Sequence, residues 1–531
     1  MRPMRNDLKL PLLLVSFISL CGILTFPIMP IDETRYVSAA WEMWIHHSFL
    51  VPLLNGAPYP HKPPLLFWLM HLSWAVFGVN EITPRLIPGI FSLLNLMLVY
   101  RISLRLWPQE NRTAFFATLI LASIAVWDIW SVAIMFDMVF TFWVLLGLLG
   151  ILQAAEGDRR RHGLLLLAVG IAGGILTKGP AVLIYLLPLP FLRSLWSRRM
   201  DRPRRGKWYR SVSGALLLGA GIALLWVVPA ILLGGASYRH EILWKQTADR
   251  ITSSFAHRRP FWWYLPILPL LFFPWILFRP AFRRFRLKTA DTGTRFCLLW
   301  MGIPLLIFSL ISGKQVHYLL PFIPAGALLA GRNLCLSEFD GRKSSVKLFG
   351  LFYFAAGLVI ACLPLIPLKT PAVVFAVVPT EIASAGLLSI GAFLYFFRFP
   401  SFSSAVKCLA VSTAVIAALT FFQIKNSLME SYDIKPVARA VQKNMENGRA
   451  VAHIGKYHGQ YQFLGRLKQP LTVLDDNPDQ ISDFAKRWPG ALFISYSRGK
   501  NTLPDDATVC YTHKYRGKTV VLWQMESAHG P

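Results

Sequence analysis

Runs of about 20 predominantly apolar residues, the length that crosses a bilayer as a helix, recur along the first 425 positions of the chain. About thirteen such spans are read, centred near residues 18, 74–95, 122, 145, 170, 187, 222, 270, 304, 328, 357, 389 and 416. Prolines and glycines punctuate many of them, which a helix bundle tolerates. The opening MRPMRNDLKLPLLLVSFISLCGILTF resembles a signal peptide. Its apolar stretch is long and no A-x-A-type cleavage site follows closely, so it is read as a retained first membrane helix. From about residue 430 the pattern changes. SYDIKPVARAVQKNMENG reads as a helix with Pro436 in its first turn and Gly448 at its end. NPDQISDFAKRWPG reads as a second capped helix, and RAVAHIG, LTVLDD, ALFISYS and KTVVLWQM as short strands. The expected fold is a mainly α polytopic membrane domain over 1–428, with a first outer loop at about 30–64, followed by a soluble α/β domain over 429–531.

Composition agrees. Of 531 residues 54% are hydrophobic and only 15% charged, with a mean hydropathy of +0.47; a soluble domain carries about 25% charged residues. A soluble enzyme, a disordered chain and a coiled coil are excluded. The net charge of +28 would suit a nucleic-acid partner, but its distribution does not. Basic residues crowd into short loops such as RRMDRPRRGKWYR at 198–210 and RPAFRRFRLK at 279–288. Seven alternate segments hold 29 of the 55 Lys and Arg, and the opposite-side loops before residue 425 hold 11. By the positive-inside rule the rich segments are cytoplasmic, so the C-terminal segment lies outside. No folded basic domain remains to bind nucleic acid. The six cysteines form no CxxC pair, metal knuckle or disulfide framework.

The candidate chemistry begins in the first outer loop, IDETRYVSAAWEMWIHHSFLVPLLNGAPYPHKPPLLFWL. Asp32 and Glu33 stand where the first apolar run ends, with Arg35 one helical turn on; Tyr59, His61 and Lys62 form a second cluster. The plain alternative is a solvated loop that marks a membrane boundary. Ionisable groups at membrane depth are costly, however, and are kept where they have a partner and a task. Asp137 is isolated in AIMFDMVFTFW, Lys178 sits in GGILTKGP, Arg250, His257, Arg258 and Arg259 in QTADRITSSFAHRRPFWWY, and Lys314, His317 and Tyr318 in ISGKQVHYLLP. Each alone is weak, since a lone lysine at a helix end commonly snorkels. The topology places all of them at one membrane face. Cations aimed at phosphate oxygens suit an anionic leaving group, and a carboxylate can orient or deprotonate an acceptor. Trp41, Trp44, Tyr59, Trp68, Trp262, Trp263 and Tyr264 could be sugar platforms, although an interfacial aromatic belt accounts better for most of them.

DETRYVSAAWEM followed by NGAPYPHKPPLLFWL resembles the first-loop signature of the lipid-linked-sugar glycosyltransferases of the aminoarabinose transferase and protein O-mannosyltransferase superfamily. L-T-K-G-P at 176–180, R-x(n)-H-x-x-P-F-W-x-Y at 250–264 and S-x-K-x-x-x-Y-x-L-P at 312–321 continue the likeness in order. The resemblance implies a GT-C bundle with amphipathic helices in the first outer loop and an outer C-terminal domain. It also implies an enzyme that moves a sugar from a polyprenyl-phosphate (undecaprenyl-phosphate) donor to a lipid or glycan acceptor. On motif position Asp32, Glu33 and Asp137 are the catalytic carboxylates. Arg35, Lys62, Lys178, Arg250 and Lys314 hold the donor phosphate, and Tyr59, His61, His257 and Tyr318 line the cavity. His61 replaces the family's Glu before Lys-Pro-Pro, so a divalent ion (zinc, magnesium or manganese) through His61 and His257 stays open. Transfer of 4-amino-4-deoxy-L-arabinose to lipid A, a protein O-mannosyltransferase-like reaction and a lipid-linked-sugar transporter or flippase are the readings weighed. The transporter would call for repeat symmetry and midplane charges, neither of which the sequence has. A monomer among membrane lipids is expected.

Overall fold

A computed structural model describes residues 6–156, 159–197, 205–242, 258–282, 290–337, 344–362, 381–497, 503–504 and 506–525. In chain order the helices begin with α1 (Lys9–Thr25), α2 (Asp32–Ile45), α3 (Leu65–Phe77), α4 (Thr83–Leu106), α5 (Asn111–Leu121) and α6 (Ala125–Val132). Next come α7 (Asp137–Glu156), α8 (Arg160–Lys178), α9 (Arg205–Leu233), α10 (Thr292–Leu310) and α11 (Ile323–Ser337). The last are α12 (Ser344–Cys362), α13 (Glu381–Phe396), α14 (Phe402–Leu428), α15 (Lys435–Glu446) and α16 (Pro478–Arg487). Among the described residues seven helices are long and apolar enough to cross a membrane, α5 and α6 make a further span bent by 66°, and five apolar helices are shorter. This is a multi-pass membrane protein. Segment Val316–Ser337 is 89% buried and lies at the centre, whereas α9 is 22% buried and keeps Leu217, Leu225 and Leu232 exposed for lipid.

Two stretches divide differently from the sequence expectation. The run at 74–95 is two helices, because Gly78 takes φ +71° and the Asn80 side chain caps the next helix by accepting from Ile82 and Thr83 N–H. Conversely, the runs near 170 and 187 belong to one apolar stretch, Arg160–Phe191, broken at Lys178–Gly179.

Two compact units emerge, and they do not follow sequence order. The first comprises 1–24, 61–66 and 85–423. Within it α7 and α8 touch backbone to backbone: a Cβ on Gly150 would fall 2.5 Å from the Gly163 carbonyl oxygen, and one on Gly170 2.8 Å from Gly147 N. Small residues let membrane helices approach this closely. One end of the bundle carries the charges Arg105, Glu110, Glu156, Asp291 and Arg332. Arg332 pairs with Glu110 and Asp291, Arg105 pairs with Glu156, and Asp291 caps α10 by accepting from Thr294 N–H at 2.7 Å. Chain direction then gathers the start of α7, the end of α8 and the turn between α10 and α11 at the other end.

The second unit comprises 25–60, 67–84 and 424–531. Its five-stranded sheet has the order β4-β3-β5-β7-β6, from β3 (Val451–Ile454), β4 (Thr472–Leu474), β5 (Leu492–Ser497), β6 (Ala507–Tyr515) and β7 (Lys518–Met525); β1 (Leu53–Leu54) and β2 (Ala57–Pro58) form a separate hairpin. Strand β3 runs parallel to β4 and β5, while β7 is antiparallel to β5 and β6. The sequence expectation contained four of these strands and missed β6. ATVCYTHKY is an edge strand with few buried side chains, so it lacks an apolar run. Phe493 stacks on Trp523 at 4.7 Å over Ala452, Ile481 and Val521. Helix α15 has its proline in the first turn and Gly448 (φ +78°) beyond its end, as expected. The segment after β3 locks onto α2: Trp41 Nε1 donates to Leu467 O at 2.9 Å, Phe463 N to Ser38 Oγ at 3.2 Å, and the Phe463 ring stacks on Trp74 at 5.3 Å. Glu42, buried, accepts from Asn55 and Gly56 N–H at 2.6 and 2.8 Å. Burial pushes its carboxyl up and these two donors hold it back.

Candidate functional site

In the first unit the candidate side chains meet where α7 begins and α8 ends. Asp137 opens α7, where a helix N-terminus favours negative charge; Lys178 closes α8 because Gly179 turns the chain at φ +68°, ψ −154°. Lys178 Nζ lies 2.6 Å from Asp137 Oδ1, with side-chain exposures of 13% and 2%. The same ammonium lies 5.6 Å from the Phe140 ring centroid. Asp137 Oδ2 is buried and makes no hydrogen bond among the described residues. Lys62 Nζ stands 5.3 Å from the Phe136 ring centroid, and Lys62 and His317 are close enough for their charges to act on Asp137. His317 packs against Trp130 and Tyr318, the Tyr185 hydroxyl donates to Tyr318 O, and the Tyr264 hydroxyl donates to Gln315 O at 3.1 Å. Lys314 is 3% exposed and donates to the carbonyls of Ile311 and Arg259, fastening the Arg258–Gly313 bridge. An open pocket of about 390 Å³ beside it is lined by Arg258, Arg259, Phe261, Leu310 and Lys314.

In the second unit Asp32 opens α2 and pairs with Arg35. Glu33 turns back to accept from Met29 N–H at 2.9 Å, which ties the chain at the helix start. Burial works against the Arg35 guanidinium, but Tyr59, Asp32 and Tyr36 outweigh it and hold its pKa above the ordinary value. It is charged at any working pH. Tyr59 is buried, with its N–H donating to Pro52 O at 2.7 Å.

The comparisons with known proteins agree with these motifs. Residues 12–243 match the family model of dolichyl-phosphate-mannose-protein mannosyltransferases. The crystal structure of ArnT from Cupriavidus metallidurans bound to undecaprenyl phosphate superposes with a TM-score of 0.74 over 99% of both chains, at 19% identity. The chain belongs to the GT-C fold class. The crystal structure of an oligosaccharyltransferase from Archaeoglobus fulgidus superposes more loosely, with a TM-score of 0.54 at 12% identity over 93% of this chain and 70% of that one. In sequence, an undecaprenyl phosphate-alpha-4-amino-4-deoxy-L-arabinose arabinosyl transferase 2 from Pseudomonas fluorescens is 32% identical over 64% of this chain and 58% of its own length. The transferase of the same description from Pseudomonas aeruginosa is 33% identical over 64% and 62%. The chain thus spans about three fifths of the length of these curated relatives.

Within this GT-C chain, then, Asp137, Lys178 and Lys62 come together with His317 and Tyr318 in one unit, and Asp32, Glu33, Arg35 and Tyr59 in the other. His61 is exposed in a turn. Arg250 and His257 lie outside the described residues, and among those described no three His, Cys, Asp or Glu gather closely enough to hold a metal ion. Several aromatic candidates serve packing: Trp41 bonds Leu467 O, Trp68 Nε1 donates to Phe49 O at 2.7 Å, and Trp44 lies against His71. Trp262 stays half exposed, as a belt residue does. The sequence does not single out Tyr185, for which a lone tyrosine in the apolar run AVLIYLLPLP was the one available signal.

Proposed function

We propose that the chain is a membrane glycosyltransferase that moves a sugar from an undecaprenyl-phosphate donor to a cell-envelope acceptor at the periplasmic face of the inner membrane. The transfer of 4-amino-4-deoxy-L-arabinose to lipid A is the leading form. The observation that carries the reading is the buried Asp137–Lys178 pair with Lys62 and His317 beside it. In the transfer, the bond between the sugar's anomeric carbon and the donor phosphate oxygen breaks as an acceptor oxygen bonds to that carbon, and undecaprenyl phosphate departs with the electron pair. Lys62 and Lys178 supply N–H donors to the departing phosphate in a poorly solvated place, where such bonds are strong. Asp137 holds Lys178 in position. Asp32 keeps the role its motif position implies: it orients an acceptor phosphate, which is already ionised, or takes the proton of an acceptor hydroxyl. The curated relatives and the ArnT structure, by their names, support the choice of donor.

Radiolabelled sugar on undecaprenyl phosphate, offered to vesicles holding the purified chain and an acceptor lipid, tests the reading. Label should move covalently to the acceptor, and Lys62→Ala should cut turnover about 10²-fold, the loss of one preorganised donor. Label that crosses the bilayer without a new covalent product would favour a flippase instead. A divalent ion at His61 and His257 is a separate proposal, tested by chelating the wild-type vesicles and adding back Zn²⁺, Mg²⁺ or Mn²⁺.

A further inference from the structure

The pocket beside Lys314 has no part in the transfer proposed above, yet two segments of the first unit hold its walls in place. The backbone of Arg258 bridges antiparallel to that of Gly313, and Arg259 N–H donates to Ser312 O at 3.1 Å. Three residues beyond Phe261 the Tyr264 hydroxyl donates to Gln315 O, which ties the same two segments again. The Arg259 guanidinium lies 5.9 Å from the Trp263 ring centroid. Lys314 is buried between the segments, and its ammonium donates to Ile311 O and, at 3.2 Å, to Arg259 O. The volume of about 390 Å³ is that of a small-molecule site.

The charge of this pocket is unbalanced. Among the described residues no carboxylate lies within ion-pair distance of Arg258, Arg259 or Lys314. The carbonyl of Ile311, at the C-terminal end of α10, offsets part of the Lys314 charge, as a helix end does. Carbonyl dipoles do not neutralise three cations, and buried charges are kept where they are paired. Ser312 Oγ, which belongs to the same lining, is buried with no hydrogen-bond partner among the described residues. A hydroxyl and three cations suit an anion with several acceptor oxygens.

The rest of the lining faces lipid. Leu310 borders the pocket and is 75% exposed, and Leu306, one turn earlier on the same face of α10, is exposed as well. Phe261 borders it from the other segment and is also exposed. The spanning window of α10 is only 33% buried, so an apolar track runs along the helix into a basic pocket. A soluble anion would leave that track bare, whereas an amphiphile uses both. The sequence resemblance puts Lys314 with the donor phosphate. Its hydrogen bonds, however, go to Ile311 and Arg259 and not to the Asp137–Lys178 pair, which has Lys62 as a further cation beside it.

We propose that this pocket binds an anionic phospholipid, with its phosphodiester held by Arg258, Arg259 and Lys314 and its chains laid along Leu306 and Leu310. Arginine forks take phosphate oxygens in pairs and a lysine ammonium takes them as a point charge. The lipid is separate from the sugar donor, and the site stands whether or not the chain transfers sugar.

Native mass spectrometry of the full-length chain, delipidated in detergent, tests this. Phosphatidylglycerol, phosphatidylcholine and undecaprenyl phosphate are titrated in turn. The wild type should hold one phosphatidylglycerol at concentrations where phosphatidylcholine, whose phosphate carries its own tethered cation, stays unbound. Arg258→Gln and Arg259→Gln, at exposed positions, should each weaken that complex about tenfold, the worth of one charge-assisted hydrogen bond. Both should leave undecaprenyl phosphate binding unchanged. Leu310→Gln should also weaken the complex, although it removes no charge. Variants that keep phosphatidylglycerol like the wild type, or a wild type that takes phosphatidylcholine equally well, overturn the site. Loss of undecaprenyl phosphate in the arginine variants would hand the pocket to the donor. Displacement of the lipid by an equal concentration of glycerol 3-phosphate would make it a soluble-anion site and refute the lipid track.

Discussion

Replacing Lys178 with methionine keeps a long flexible apolar stem and deletes the charge that faces Asp137 at 2.6 Å. At an effective dielectric of about 20, two unit charges at that separation attract by about 6 kcal/mol. Desolvation of both groups offsets much of that, so the pair is worth little against an apolar replacement of both. Removing one partner is different: Lys178→Met strands a carboxylate whose side chain is 2% exposed, and such a break costs about 3–5 kcal/mol. Asp137→Asn should lose less, because the ammonium is 13% exposed and keeps the Phe140 ring beneath it. The double variant should recover about 2–3 kcal/mol relative to the sum of the singles, the range of a directly coupled pair. Thermal denaturation of the detergent-solubilised chain, compared as midpoints under one scan rate, ranks the four proteins without assuming two states. Sugar transfer should not follow that ranking. All three variants should fall about 10²-fold or more, with the double variant stable and inactive. Additive midpoints would mean that the two groups do not hold each other. A double variant with normal transfer would remove the pair from the chemistry.

Gly179→Ala meets no atom within 4 Å, yet φ +68°, ψ −154° is a glycine-only conformation. It should cost about 1–3 kcal/mol and misaim Lys178, so a variant with wild-type melting and wild-type transfer would contradict the turn's role. His453 in β3 is fully buried, and burial pushes its imidazole down from 6.5 to about 4. The unfolded chain therefore binds the extra proton first: stability should be flat above about pH 6.5 and fall by about 3 kcal/mol as the pH drops toward 4. His453→Gln should flatten that slope in denaturation measured at pH 7, 5.5 and 4. Asp32→Asn should remain folded and bind undecaprenyl phosphate while transfer is nearly abolished, and normal transfer would free Asp32 from the mechanism. In a background without native cysteines, an impermeant thiol reagent applied to intact cells should label Asp476→Cys and spare Gln109→Cys; the reverse pattern would invert the topology.

The helical framework was legible because lipid imposes a simple rule, and apolar runs of spanning length could be found by counting. What blurred was punctuation. Gly78 and Asn80 open a turn inside a stretch that hydropathy reads as continuous, while Lys178–Gly179 breaks a helix without ending the apolar stretch. Both decisions rest on one or two residues, too few to move a window average. Strand β6 escaped for a related reason, since an exposed edge has no buried face to write an apolar pattern. The Asp137–Lys178 contact was legible only as shared placement at one face, because two residues 41 positions apart are brought together through a helix pair whose closeness depends on glycines. The placement of 455–467 against α2 was not legible at all. Its contacts join positions separated by more than 400 residues, among them Ser38 with Phe463 and Trp41 with Leu467, and no local periodicity encodes a partner that distant.

The glycine seam between α7 and α8 also bears on how the chain enters the membrane. The two helices are consecutive and antiparallel, so they can leave the insertion machinery as one hairpin. Asp137 and Lys178 sit at its leading end, and a charged residue moved singly toward hydrocarbon meets an insertion penalty of about 2.5–3.5 kcal/mol at the helix centre. With Gly150 against Gly163 and Gly147 against Gly170, the hairpin closes tightly enough for the two charges to travel as a neutralised pair. Widening the seam by Gly150→Leu should therefore show first as less protein reaching the membrane, while the molecules that do arrive retain most of their activity.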